Sequence, residues 1–218
     1  RLMDMRVYHF LSARYAKEDL AEKRLKISTF NDLNDPFEFL ECAMSNNYVH
    51  RAMKLTKDNL YEEVGVICFS NNWSSPLLWG HYADKHKGVC LGFDVPNASP
   101  VEYIRNKKTL CDEFERSLGK PDHEERIMKK LLLSKYEKWD YEDEVRIFAP
   151  IEKPDELSYR CFTEDLVLKQ VIMGVRIDKK DEENITTLID RNFGRHIEVI
   201  KAGLDFETFN VIESSRLS

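Results

Sequence analysis

The segment Trp139-Asp140-Tyr141-Glu142-Asp143-Glu144-Val145-Arg146-Ile147-Phe148 holds the densest grouping of residues able to do chemistry. Glu144 to Ala149 reads as a strand. Side chains alternate across a strand, so Glu142, Glu144 and Arg146 are expected on one face. Val145 and Ile147 then point the other way, into a core. Two carboxylates held close repel each other, which raises one pKa and suits acid–base work or the gripping of a ribose hydroxyl. Arg146 would offset that repulsion. A simpler reading competes with this one: a solvent-facing polar side of an amphipathic strand, with Arg146 in surface ion pairs.

Other reactive side chains are scattered. His9 sits in the apolar strand VYHFL and reads either as a satisfied core histidine or as a ligand holder. His81 and His86 are five residues apart, which is not the i, i+4 spacing of a helical metal pair. Trp79 and Tyr82 at i, i+3 read first as core or cleft-wall aromatics. The turn around Asn34, Asp35 and Glu38 shapes a loop or bounds a cleft. Cys42, Cys68, Cys90, Cys111 and Cys161 include no C-x-x-C pair and no zinc spacing, so no metal is expected. The cysteine number is odd, and Cys68 and Cys90 lie in apolar runs. Free thiols in a reducing cytoplasm are therefore expected.

The elements that must position these residues follow from pattern. Val7 to Leu11 reads as a strand, Tyr15 to Arg24 as a helix and Leu25 to Ser28 as a short strand. Asn34-Asp35-Pro36 is a turn, and Arg51 to Glu63 a helix. VGVICFS (64–70) and VCLGFDV (89–95) are near-continuous apolar runs of the buried-strand kind. Between them, Ser74 or Ser75 caps a helix with Pro76 in its first turn, expected to run to Gly88. Residues 112–138 read as charged helix broken at Pro121, with Phe114, Leu118, Ile127, Leu131 and Leu132 inward. Such a charged stretch is a solvated face or a docking site for a partner such as an antitoxin. Leu166 to Ile177 and His196 to Leu204 read as strands around a helix at Asp181 to Phe193, and Phe206 to Ile212 as a closing strand.

Strands and helices mix without regular βαβ alternation, so the expected class is α+β with a mixed or antiparallel sheet and flanking helices, in one domain over 1–218. Apolar residues at 42% and charged residues at 33% are enough for a core and too apolar for a disordered chain. A net charge of −6 argues against sequence-blind nucleic-acid binding. No apolar run approaches the roughly 18 residues of a membrane span, and no signal peptide is read. A cytoplasmic location away from membranes is expected.

FNDLNDPFEF near residue 35, ICFS (67–70), LLWGHYADKHKGVCLGFD (77–94), Val101 to Tyr103 and Trp139 to Arg146 resemble a bacterial family known only as domain of unknown function 2971. Relatives of that family are associated with abortive infection and anti-phage defence. Glu142-Asp143-Glu144-Val145-Arg146-Ile147 also looks like the E-x-E strand of mono-ADP-ribosyltransferases. That resemblance implies a split sheet and NAD as substrate. It implies that Glu144 is catalytic against the nicotinamide ribose and that Glu142 helps choose an acceptor. His9 or Arg14 would orient NAD, and Ser70 would be the hydroxyl at the end of the middle strand. Tyr82 or Trp79 would stack on nicotinamide, with His81 beside them in the cofactor-binding set. Ser70 is followed by Asn71, so a full Ser-Thr-Ser motif is missing. Protein, nucleic acid or water would be the acceptor, and the role a toxin or defence effector. A non-catalytic sensor or binding module, and a nucleotide or NAD hydrolase using the same carboxylates, are the alternatives.

Overall fold

The computed structural model describes residues 4–35, 37–38, 62–117, 119–151 and 156–216. Pro36, Cys42, Leu118 and the expected helix at 51–63, apart from its last two residues, lie outside them. The fold is α+β. Its largest sheet is mixed and has the order β12-β11-β10-β4-β1-β3-β8-β5. The strands are β1 (Met5–Leu11), β3 (Val64–Ser70), β4 (Val89–Val95), β5 (Ser99–Pro100), β8 (Glu144–Pro150), β10 (Val167–Met173), β11 (Glu198–Leu204) and β12 (Val211–Arg216). Only β10 and β11 run parallel among the pairs of this sheet. Two small pairs flank it: β2 (Arg24–Ile27) with β9 (Ser158–Cys161), and β6 (Glu102–Ile104) with β7 (Ser134–Tyr136).

The helices begin where the sequence offers caps. Ser12 accepts from Tyr15 N at the start of α1 (Ala13–Glu22), and Asp178 accepts from Asp181 N at the start of α5 (Lys179–Phe193). Between them in the chain come α2 (Pro76–Tyr82), α3 (Lys107–Ser117) and α4 (Pro121–Leu132). Pro121 opens α4 as its first residue. One sheet face buries Val7, Ile67, Phe69, Leu91, Phe93, Val145, Ile147, Val171 and Met173 with Leu20, Ile185 and Ile189 from α1 and α5. The other face buries Cys90, Ile172, Ile200 and Ala202 with Trp79 of α2. Phe114, Ile127 and Leu131 form a third cluster between α3 and α4.

Five expectations need correction. The helix at Pro76 stops at Tyr82, because Asp84, Lys85 and His86 take φ of 44°, 54° and 70° and turn the chain out of helix. Gly88 is therefore not a helix terminator. It is needed because a Cβ there would lie 2.2 Å from the Leu11 carbonyl oxygen. The strand expected to 177 ends at Met173, and residues 206–209 form a loop that precedes the last strand. Cys68, Cys90 and Cys161 are free thiols as expected, but Cys111 is disulfide-bonded, which spacing alone does not reveal. Finally, Glu142 is not on the strand. It ends a 3-10 helix, Glu137–Glu142, and Asp143 turns through φ 42° before β8 begins at Glu144.

The central seam matters for the site. β1 pairs with β4 along seven residues, but with β3 only at Tyr8↔Ser70. The two strands part beyond that point. His9 spans the gap, its Nδ1–H donating to the Cys68 carbonyl at 2.9 Å.

Candidate functional site

The seam opens into a cleft of about 240 Å³. Tyr8, His9 and Phe10 line one side and Ile67, Cys68, Phe69 and Ser70 the other. Asn34 and Glu38 come from the loop after β2, Tyr82 from α2, Lys135 from β7, and Glu142 and Glu144 from the entry to β8. The register puts Ser70 opposite Glu144 and Cys68 opposite Arg146, so these four share one face. Tyr8 pairs with Ser70 and shares it too. His9 projects to the opposite face, against Phe69 at 5.6 Å between ring centroids.

Backbone bonds fix the strand entry. Glu144 N donates to the Tyr103 hydroxyl at 2.8 Å, and Glu144 O accepts from Val101 N at 2.9 Å. Asn71 N donates to Asp143 O at 2.9 Å, and Asn71 Nδ2 to Asp143 Oδ1 at 3.1 Å. The turn at Asp143 thus folds Glu142 back over the end of β3.

Around this entry lies a buried charge network. Arg146 Nε donates to Glu144 Oε1 at 2.7 Å, and Nη2 reaches Glu144 Oε2 at 3.2 Å and Glu38 Oε2 at 2.5 Å. Arg146 Nη1 donates to the Leu132 carbonyl at 2.8 Å. Lys135 Nζ donates to Glu142 Oε2 at 2.5 Å and to Glu144 Oε2 at 3.0 Å. The Tyr82 hydroxyl donates to Glu142 Oε1. Side-chain exposure is 2% for Arg146, 3% for Glu38 and 5% for Lys135, Glu142 and Glu144. The expectation of a solvent-facing polar edge is therefore overturned: Arg146 pairs directly with Glu144, and Lys135 joins Glu144 to Glu142, all inside the protein.

The electrostatics follow from these contacts. Burial pushes the Glu144 carboxyl up, but Arg146 and then Lys135 outweigh it and hold it at about 2. Burial raises Glu38 against the pull of Arg146 and Lys135, with Glu144 adding to the rise. Lys135 and Arg146 lose solvation and still rise, because the carboxylates around them favour the charged forms. Tyr82 is raised by burial and by Glu142, and Tyr103 is pushed up to about 12, chiefly by burial. The Cys68 thiol is raised by burial. His9 is lowered by burial, so its ring is neutral, with the proton on Nδ1 and Nε2 unprotonated.

The remaining residues singled out in the sequence fall as follows. Ser70 lines the cleft, but its hydroxyl closes a local turn with Asn72 N and O at 3.1 and 3.0 Å and does not bridge strands. Trp79 is fully buried, its Nε1 donating to the Trp73 carbonyl at 2.7 Å and its ring edge-on to Phe10, so it cannot stack on a ligand in the cleft. His81 is exposed, with its ring tilted against Tyr82 and Tyr141. Arg14 is exposed on α1 and pairs with Glu18 at 3.2 Å, apart from the cleft. Of the two residues expected at the first NAD contact, only His9 borders the cleft, and its ring turns to the opposite face against Phe69. Lys135 and Tyr103 carry no sequence signal of their own, although Tyr103 lies in a stretch picked out for its family resemblance. No group of three or more His, Cys, Asp or Glu able to hold a metal occurs among the described residues, and no helix among them is long and apolar enough to cross a membrane.

Comparison with curated proteins and with solved structures gives no match. Residues 78–147, a stretch that contains Tyr82, Tyr103, Lys135, Glu142, Glu144 and Arg146, match the model of a family described as protein of unknown function (DUF2971).

Proposed function

We propose that the cleft binds the nicotinamide riboside half of NAD or a related N-glycoside and cleaves the ring-to-ribose bond, as an ADP-ribosyltransferase-like enzyme. The observation that carries this reading is a carboxylate, Glu144, held anionic at the wall of a cleft opened by parting strands. As the C1′–N bond breaks, its electron pair goes to the nicotinamide ring, which becomes neutral, and positive charge develops on the ribosyl centre. A fixed anion in a site shielded from water favours that charge without reorganising. Glu142, tied to Tyr82 and Lys135, would orient the acceptor. The acceptor's oxygen or nitrogen then bonds to C1′, and its proton leaves to a carboxylate or to solvent. With water as the acceptor, the same steps make an NAD hydrolase.

The size of the cleft agrees with this division of the ligand. At about 240 Å³ it is smaller than the roughly 300–1,000 Å³ of typical ligand pockets, so it fits a ring and sugar, not a whole dinucleotide. A second reading, a binding module without catalysis, is favoured by a different observation. Both oxygens of Glu144 are already engaged by Arg146 and Lys135. Calorimetry with NAD, followed by chromatography for free nicotinamide, separates the two. Binding with release supports the enzyme, and binding without release supports the module. Absence of both removes NAD from the account.

A further inference from the structure

The network does not balance. Among the described residues it contains three carboxylates, Glu38, Glu142 and Glu144, against two cations, Lys135 and Arg146, all at 5% exposure or less. The other basic residue of the cleft wall, Lys26, is paired with Asp32 at 3.2 Å. The excess charge can be located. Arg146 is committed to Glu144 and to the Leu132 carbonyl as well as to Glu38 Oε2, and Lys135 donates to Glu142 and Glu144. Glu38 Oε1 is 3.1 Å from Lys135 Nζ but off the hydrogen-bonding direction, and it accepts no hydrogen bond among the described residues. Buried acceptors are normally satisfied, so this one is the incomplete member of the cluster.

Resting on the reading of the cleft as an N-riboside site, we propose that it is selective for cationic rings: a pyridinium riboside is taken in preference to a neutral analogue of the same shape, and Glu38 sets that preference. A positive ring beside the cluster completes its charge, whereas a neutral ring leaves the excess in place. The groups facing Glu38 are Arg146 and Glu144 from β8 and Lys135 from β7, with Glu142 reached through Lys135. Burial raises Glu38, so protonation of Glu38 competes with entry of the cation. Cation binding therefore tightens as pH rises through the titration of Glu38.

The test is calorimetry with nicotinamide riboside and with its 1,4-dihydro form, whose ring is neutral, on the wild-type chain and on Glu38→Gln. The amide keeps the shape of Glu38 and an oxygen for Arg146, and circular dichroism checks that the variant folds. The expected result is binding of the cation on the order of tenfold tighter in the wild type, a factor that Glu38→Gln reduces to within about threefold. The wild type alone must also bind the cation more tightly at pH 8 than at pH 5. Equal affinity for the two forms in the wild type overturns the selectivity and leaves the N-riboside reading intact. If neither form binds, that reading falls. Agmatine, a guanidinium cation, is then the probe: binding that Glu38→Gln abolishes sustains cation selectivity, and no binding overturns it.

Discussion

Replacing Arg146 by methionine removes the cation that two buried carboxylates share. The guanidinium is 2% exposed and makes bonds to Glu144, Glu38 and the Leu132 carbonyl. Its main effect is readable in Glu144, which moves from the ordinary 4.5 to about 2 against the opposing effect of burial. That shift corresponds to about 3 kcal/mol. Breaking a buried pair by removing one partner costs about 3–5 kcal/mol, and the two estimates agree. The sign with pH follows from the directions of the shifts. The depressed Glu144 contributes stability above pH 4.5 that the wild type loses as pH falls toward 2. In Arg146→Met, burial acts on Glu144 with Lys135 and the Cys68 thiol left to oppose it, and Glu38 rises further. Both carboxyls then protonate earlier on acidification, and the penalty shrinks. Urea unfolding followed by tryptophan fluorescence should give a loss of about 3–5 kcal/mol at pH 7 that narrows by more than half at pH 3. A loss under about 1 kcal/mol at pH 7, or one that does not change with pH, would refute the assignment of Arg146 as the shared counter-ion.

Trp79→Phe is expected to lower stability by about 1–3 kcal/mol while leaving NAD affinity within twofold, because Trp79 packs behind the cleft wall. Arg14→Ala should change stability by no more than about 0.5 kcal/mol and binding not at all; a tenfold loss of affinity in either variant, by calorimetry, would return that residue to the site. Asp19 lies on the buried side of α1 with its carboxyl pushed up to about 7, first by burial and then by Glu18. A pKa raised above the unfolded value contributes stability below about pH 4 that is lost as pH rises through 7, so the carboxylate is a burden at pH 8. Asp19→Asn should therefore stabilise the chain by about 1–2 kcal/mol at pH 8, a figure already reduced for partial solvent screening, and by nothing near pH 4. Equal effects at both pH values in thermal unfolding would contradict this.

Elements with a strong local signal were legible. VGVICFS and VCLGFDV form strands over the residues expected, because strands buried on both faces read as unbroken apolar runs. The break at Pro121 and the start of α2 at Pro76 follow from what proline forbids and allows. The site was legible in part. Glu142, Glu144, Ser70, Tyr82 and His9 line one cleft, whereas Arg14, Trp79 and His81 of the same set do not. How the lining residues come together was not legible. Placing Glu142 on the strand assumed extended backbone through Asp143, a residue type that tolerates the left-handed region without announcing it. Lys135 stands on a three-residue strand and Glu38 in a loop, and only tertiary packing brings them together. A buried lysine looks in sequence like any exposed one. The short strand expected at Leu25 to Ser28 forms at Arg24–Ile27, but its partner SYRC was missed because it is not apolar enough to stand out beside the central runs.

The most direct test of the account is nicotinamide release from NAD by the wild-type chain and by Glu144→Gln, with circular dichroism showing both folded. The amide preserves the shape of Glu144 but removes the fixed anion. The account predicts release by the wild type and a loss of at least about a hundredfold in the variant, the scale of one electrostatic stabiliser removed from a shielded site. Equal release by both chains, or none from the wild type, would contradict it.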